Sequence, residues 1–162
     1  MAIARFEKVS INQFKNDSKE LLNIDVDSLD NVTIPKRATK GSAGYDFVCP
    51  FDLTLRKGEL LKVPTGIRAF IEDGYVLKIY PRSSLGFKYQ ICLANTVGII
   101  DSDYYGAKNE GHIIVALVNR GEKDLKISKG DRIVQGIFEK YFTANEDEVN
   151  TVRVGGLGSS NK

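Results

Sequence analysis

Residues 53–80 read LTLRKGELLKVPTGIRAFIEDGYVLKIY. Four short runs rich in Leu, Val, Ile, Phe and Tyr, at 53–55, 60–63, 67–71 and 75–80, are cut apart by Lys57-Gly58, Thr65-Gly66 and Asp73-Gly74. Each run is too short for a stable helix, and glycine-bearing turns between apolar runs are the signature of successive strands. The texture continues at 91–93, 113–118 and 133–141, with further turn signals at Arg120-Gly121 and Lys129-Gly130. Many short strands at even spacing, with one or two helical pieces, predict an all-β fold of the barrel or jelly-roll-like sandwich kind.

Upstream, residues 10–23 (SINQFKNDSKELLN) predict a helix with Ser10 as N-cap and Ile11, Phe14, Leu21 and Leu22 on one face. Residues 1–32 are therefore expected to be an N-terminal extension with a helix, 33–150 a β-barrel domain, and 151–162 a flexible tail. The nine residues 154–162 hold three Gly, two Ser and an Asn, a composition that stays mobile unless a ligand orders it. The charge balance, 23 basic against 21 acidic residues, is too even for a nucleic-acid or membrane surface, so no stable nucleic-acid binding is expected. Apolar runs are short and the first residues lack a signal-peptide core, which predicts a cytoplasmic protein with no membrane association. Cys49 and Cys92 follow no pairing pattern and are expected to be free thiols.

Five segments carry residues suited to chemistry. Ser42-Ala43-Gly44-Tyr45-Asp46 is a small-residue turn leading to an Asp that is either a site residue or a structural acceptor. Pro81-Arg82-Ser83-Ser84-Leu85-Gly86 ends a strand and begins a helix, where free N–H groups, hydroxyls and a guanidinium suit an anion, though Ser as a plain N-cap fits too. Residues 93–106 (LANTVGIIDSDYYG) place an Asn, a glycine-bounded hairpin, Asp101 and Tyr104 in sequence. An Asn amide can read a base edge, and a fixed carboxylate can orient and deprotonate a water; a strand-capping Asp-Ser-Asp turn accounts for the same residues. Residues 129–136 (KGDRIVQG) read as a turn followed by a strand carrying Gln135. Residues 153–160 (RVGGLGSS) offer an Arg, glycines and hydroxyls that could wrap a polyphosphate, without the spacing of a Walker loop. Together they form an inventory for a nucleoside polyphosphate.

In this order the five segments resemble the five motifs of the trimeric deoxyuridine triphosphatases (dUTPases): AGYD, PRSSLG, GIIDSDYYG, KGDRIVQ and RVGGLGSS, over about four-fifths of the chain. The resemblance implies a jelly-roll-like barrel of the β-clip type forming a homotrimer with shared active sites. It implies hydrolysis of dUTP to dUMP and pyrophosphate by Mg²⁺-assisted in-line attack of water on the α-phosphate, which limits uracil in DNA and supplies dUMP for thymidylate synthesis. Asp101 would be the base, with Gln135 and Arg82 assisting at the phosphates and the water. Tyr104 would pack under the deoxyribose and exclude a 2′-hydroxyl. Asn95, Val97, Gly98 and Ile100 would bind uracil, and Ser83, Ser84 and Arg153 the phosphates, with Gly156, Leu157, Gly158 and Ser159 closing over the site. Mg²⁺ would ride on the triphosphate, with no direct protein ligand and Asp46 behind it. Asp103 would stabilise the turn.

Two departures stand out. Leu157 occupies the place of the family's stacking Phe, for which Tyr105 or Phe87 could substitute, and residues 105–111 enlarge the loop after the third motif. The long N-terminus and this loop suggest a phage or prophage member from a Gram-positive host. They also leave room for a nucleotide-sensing protein that grips a host regulatory partner. A dCTP deaminase of the same fold is the competing enzyme reading, although such enzymes use Glu where this chain has Asp101. His112 is expected to be structural.

Overall fold

The computed structural model describes residues 2–151, 153, 155 and 156. In chain order the elements are β1 (Ala4–Lys8), α1 (Ile11–Leu22), β2 (Lys36–Arg37), β3 (Tyr45–Val48), β4 (Leu53–Leu55), β5 (Leu60–Pro64), β6 (Ile67–Ile71), β7 (Tyr75–Pro81), α2 (Ser83–Tyr89), β8 (Ile91–Leu93), β9 (Gly98–Ile100), a 3₁₀ turn (Ser102–Gly106), β10 (Ile114–Asn119), β11 (Leu125–Ile127) and β12 (Arg132–Lys140). A five-stranded sheet runs β2-β3-β12-β7-β9, a three-stranded one β5-β10-β8, and β1-β6 and β4-β11 form pairs. Every pairing is antiparallel. The mostly-β architecture with short helices matches the reading of the strand texture.

Alternation along the strands builds the core. On β6, Ile67, Ala69 and Ile71 point inward, and on β10 Val115 and Leu117 do the same. Leu77 and Ile79 of β7 are buried, as are Phe47 and Val134 on the neighbouring strands. Phe6 of β1 meets Phe47 and Phe138 at ring-centroid distances of 5.5 and 5.3 Å. Cys49 and Cys92 are both free, and burial pushes the Cys49 thiol up to about 11.

Two expectations are corrected. Residues 4–8 form a strand on β6, so the first 32 residues are not only an extension with a helix. ARFEK conceals this strand because three of its five residues are charged, as in a solvent loop, with Arg5 and Lys8 exposed and only Glu7 half-buried along the pair. The expected helix is present, spanning Ile11–Leu22 with Ser10 as its N-cap; Phe14 and Ser18 are its deeply buried residues, with Ile11, Leu21 and Leu22 partly covered. Finally, residues 95–100, expected to form a hairpin, are not a laddered one: β9 pairs with β7, whereas β8 before it pairs with β10. The turn between them is closed by Thr96 N–H to the Leu93 carbonyl at 3.1 Å, with Thr96 left-handed at φ 66°.

Helix α1 is tied to the segment before β10. Ser10 accepts the Gln13 N–H at 3.1 Å and donates its hydroxyl to Glu110 at 2.6 Å, while its own N–H also reaches Glu110 at 2.8 Å. His112 is fully buried. Its Nε2 accepts the Gly66 N–H at 2.8 Å, which leaves the ring proton on Nδ1 facing the Asp17 carboxylate. The structural role expected for His112 agrees with this position.

Burial opposes ionisation of Asp17, but hydrogen bonds from His112 and Gln13 outweigh it and hold the carboxyl below its ordinary value of 3.8. A depressed carboxyl contributes stability that is complete above the ordinary value and is lost as pH falls through the lower native value. Helix α1 should therefore loosen on acidification below about pH 4, seen as faster amide exchange in residues 11–22. Asp17→Asn should lower stability at neutral pH and remove that part of the acid dependence. An unchanged pH profile in the variant would contradict this account.

Candidate active site

The sequence-predicted residues gather at two places. At the first, β3, β12 and β7 lie side by side, so that Asp46, Gln135 and Tyr80 are in register. Asp46 is buried and accepts from Arg82, just past β7, and from Arg132 Nη1 at 3.2 Å. A carboxylate out of water needs compensating charge, and two guanidiniums supply it. Gln135 donates to the Pro81 carbonyl at 3.3 Å. Its side chain packs against Gly44, where a Cβ would lie 2.5 Å from Gln135 Oε1 and force the amide to shift. Ser83 and Ser84 stand exposed on the first turn of α2, whose first turn closes through Leu85 and Gly86 N–H on the Arg82 carbonyl. Beside them runs a groove of about 280 Å³ walled by Arg82, Ser84, Lys126 and Arg132.

The second place is the far end of β7. There β9 runs antiparallel to it, with Gly98 opposite Ile79 and Ile100 opposite Leu77. Asn95, Gly98 and Ile100 line a largely apolar cavity of about 310 Å³ with Ile79, Leu93 and Ile113. Val97 does not line it; its N–H turns back to the Asn95 carbonyl at 2.7 Å. Asp101 leads into the 3₁₀ turn with its carboxylate about half exposed. Arg153 forks across this turn, donating Nη2 to Asp101 at 2.7 Å and Nε to Asp103 at 2.8 Å. Its guanidinium lies 5.8 Å from the centroid of the Tyr104 ring. Asp103, expected to brace the turn, thus also serves as a partner of Arg153. Tyr104 is 5% exposed, donates to the His112 carbonyl at 2.8 Å and accepts from Asn109 at 2.8 Å. Burial raises its phenol pKa against opposing help from Asn109.

Register fixes the distance between the two places. Asp101 falls beyond the Ile100–Leu77 pair, level with Val76, and Arg82 follows Pro81 at the opposite end of the strand. Six residues of extended chain separate these positions by about 20 Å. Within one copy, Asp101 is grouped with Tyr104 and Arg153, while Arg82, Gln135 and Asp46 form the other group. Gly156 lies beside Asn109, and Leu157, Gly158 and Ser159 lie outside the described residues. Of the two substitute aromatics, Tyr105 is already engaged: its hydroxyl donates to Glu7 at 2.8 Å and Arg68 covers its ring at 3.6 Å. Phe87 is 91% exposed on α2.

Sequence reasoning missed Arg132 and Asn109. A register shift between Arg132 and Val134 breaks the strand's alternation, so parity could not show that Arg132 and Gln135 both serve the Asp46 end. Among the described residues, no three His, Cys, Asp or Glu side chains converge as a metal cage, and no helix is long and apolar enough to cross a membrane.

Asp46→Asn should cost about 1–3 kcal/mol by urea denaturation at neutral pH, because it strips two guanidiniums of their shared charge partner. A change within error would mean that Arg82 and Arg132 are no more than neighbours of Asp46.

Comparison with known proteins adds the family context. A family model described as dUTPase matches residues 30–161. The deoxyuridine 5′-triphosphate nucleotidohydrolase of Lactococcus lactis is 41% identical over 132 residues, covering 80% of this chain and 88% of that one. Its counterpart in Haemophilus influenzae is 40% identical over 152 residues, covering 86% and 97%. The crystal structure of a dUTPase from Streptococcus mutans superposes with a TM-score of 0.70 at 32% identity, covering 87% of this chain and 98% of that one. With relatives in bacteria as different as these, the comparisons do not tie the chain to a phage or to a Gram-positive host.

Proposed function

This chain belongs to the dUTPase family and hydrolyses dUTP to dUMP, and we propose that it does so at sites shared between copies of itself, in a homotrimer. The observation that supports sharing is the length of β7. Asp101 and Arg82 are both assigned to the phosphates of one nucleotide, yet the strand holds them about 20 Å apart within a copy. A site that brings them together draws Asp101, Tyr104 and the base cavity from one copy and Asp46, Arg82 and Gln135 from another.

In the resulting reaction, Asp101 takes a proton from a water as the water's oxygen bonds to the α-phosphorus. The bond from that phosphorus to the bridging oxygen breaks, and pyrophosphate leaves with the electron pair. The base acts by its placement beside the attacking water. Gln135, fixed between Gly44 and Pro81, orients the water and an α-phosphate oxygen. Arg82, Ser83 and Ser84 hold phosphates. Arg82 can turn toward them without orphaning Asp46, because Arg132 stays on the same carboxylate. Arg153 covers Asp101 and Asp103 before substrate arrives and moves to the phosphate as the tail closes, exposing the base. Most of the rate then comes from positioning and charge neutralisation.

Asn95, Gly98 and Ile100 take the uracil in the cavity beside β9, and Tyr104 underlies the sugar. Mg²⁺ would be carried by the triphosphate and would supply charge neutralisation there. Asp46 already spends both carboxylate oxygens on arginines, and arginines and hydroxyls dominate the phosphate end. The N-terminal segment, which suggested a regulatory partner, is engaged by its own chain through Glu110 and His112.

Asp101→Asn should bind dUTP yet release no pyrophosphate; near-normal turnover would remove Asp101 as the base. Copies carrying Asp101→Asn and copies carrying Arg82→Ala should each be inactive alone. Refolded together in equal amounts, they should regain about a quarter of wild-type turnover, the share of sites at which random assembly pairs the two intact residues. No recovery would mean that each site is built from one copy. A panel of dUTP, dCTP, dTTP and UTP, with and without Mg²⁺, checks base, sugar and metal dependence together.

A further inference from the structure

We propose that Asn109 is a positioning residue for sugar selection, holding the Tyr104 ring from behind. The inference rests on the reading of Tyr104 as the residue beneath the deoxyribose. A planar ring excludes a hydroxyl only if it cannot give way, so what holds the ring decides how strict the exclusion is.

The phenol oxygen of Tyr104 is held on both sides. It donates to the His112 carbonyl at 2.8 Å and accepts from Asn109 Nδ2 at 2.8 Å. The first anchor is itself clamped, since the His112 ring is pinned by the Gly66 N–H and by Asp17. The second sits on the short loop between Tyr104 and His112, where the His112 N–H closes on the Asn109 carbonyl at 3.0 Å. That loop is built on two left-handed residues, Glu110 at φ 58° and Gly111 at φ 68°. A Cβ on Gly111 would lie 2.6 Å from the Tyr104 carbonyl oxygen, so the loop closes tightly against the residue it supports. Glu110 ties the loop to Ser10, at the start of α1.

Asn109 also faces the tail. A Cβ built on Gly156 would stand 3.3 Å from the Asn109 carboxamide, and among the described residues Asn109 Oδ1 is buried without a hydrogen-bond partner. One side chain therefore touches the Tyr104 phenol with its nitrogen and packs beside Gly156. Loss of the Asn109 donor frees the ring to tip away from the 2′ position, where a ribose hydroxyl then fits.

The test compares kcat/KM for dUTP and UTP in Asn109→Ala, Asn109→Asp, Tyr104→Phe and Tyr104→Ala. Asn109→Asp keeps the shape and loses the donor, and Tyr104→Phe cuts the same tether from the other side if the Asn109 variants fold poorly. In all three tether variants the preference for dUTP should fall about tenfold or more, chiefly through better use of UTP. A merely structural role lowers both substrates together and leaves the ratio intact, and that result overturns the proposal. Tyr104→Ala separates the two levels. If it leaves the ratio unchanged, the reading of Tyr104 fails and the role of Asn109 falls with it. If it collapses the ratio while the tether variants keep theirs, Tyr104 is the gate and Asn109 does not set it.

Discussion

The stiffness of β7 governs how this protein can work. A β-strand in the middle of a sheet cannot shorten or fold back, and here β12 on one side and β9 on the other hold it along its length. Its C-terminal end delivers Arg82 into the Asp46 cluster. Its N-terminal end sets the height of β9 and so of Asp101. The rigid spacing that keeps each half of the proposed machinery in place also keeps the halves apart within one copy, and the proposal of a shared site rests on that strand length more than on any single contact.

Charge pairing has a similar logic. Both arginines proposed for the phosphates rest on carboxylates: Arg82 on Asp46, and Arg153 on Asp101 and Asp103. The two pairings differ in kind. Asp46 is buried and keeps a second guanidinium, so it belongs to the scaffold. Asp101 and Asp103 are half exposed, so their hold on Arg153 is screened and readily exchanged for a phosphate. A polyanion entering this site meets cations already gathered and desolvated in part.

Much of the fold was legible because turn glycines punctuate it. Runs such as 53–55, 67–71 and 91–93 became strands with the same bounds. What escaped was pairing that local pattern cannot encode. ARFEK gives no alternation cue, and its strand exists because β6 offers an edge. NTVGII looked like a hairpin, but β9 and the β8 before it found partners in different sheets. At the site, residue types were readable one by one, since carboxylates, arginines and small residues mark their own chemistry. Their grouping into two places was not, because it depends on the register of β9 against β7. Asn109 gave no signal at all: its role arises from a loop whose shape needs two left-handed residues in a row.

The large sheet ends on β2, two residues long and both cationic, and on β9, only three residues long. Edges this short present too few free backbone groups to recruit a strand from another molecule, and like charges repel at the first of them. Encounters between copies are thereby steered away from open-ended stacking. Edge-to-edge pairing is disfavoured at the largest sheet of a chain so rich in strands.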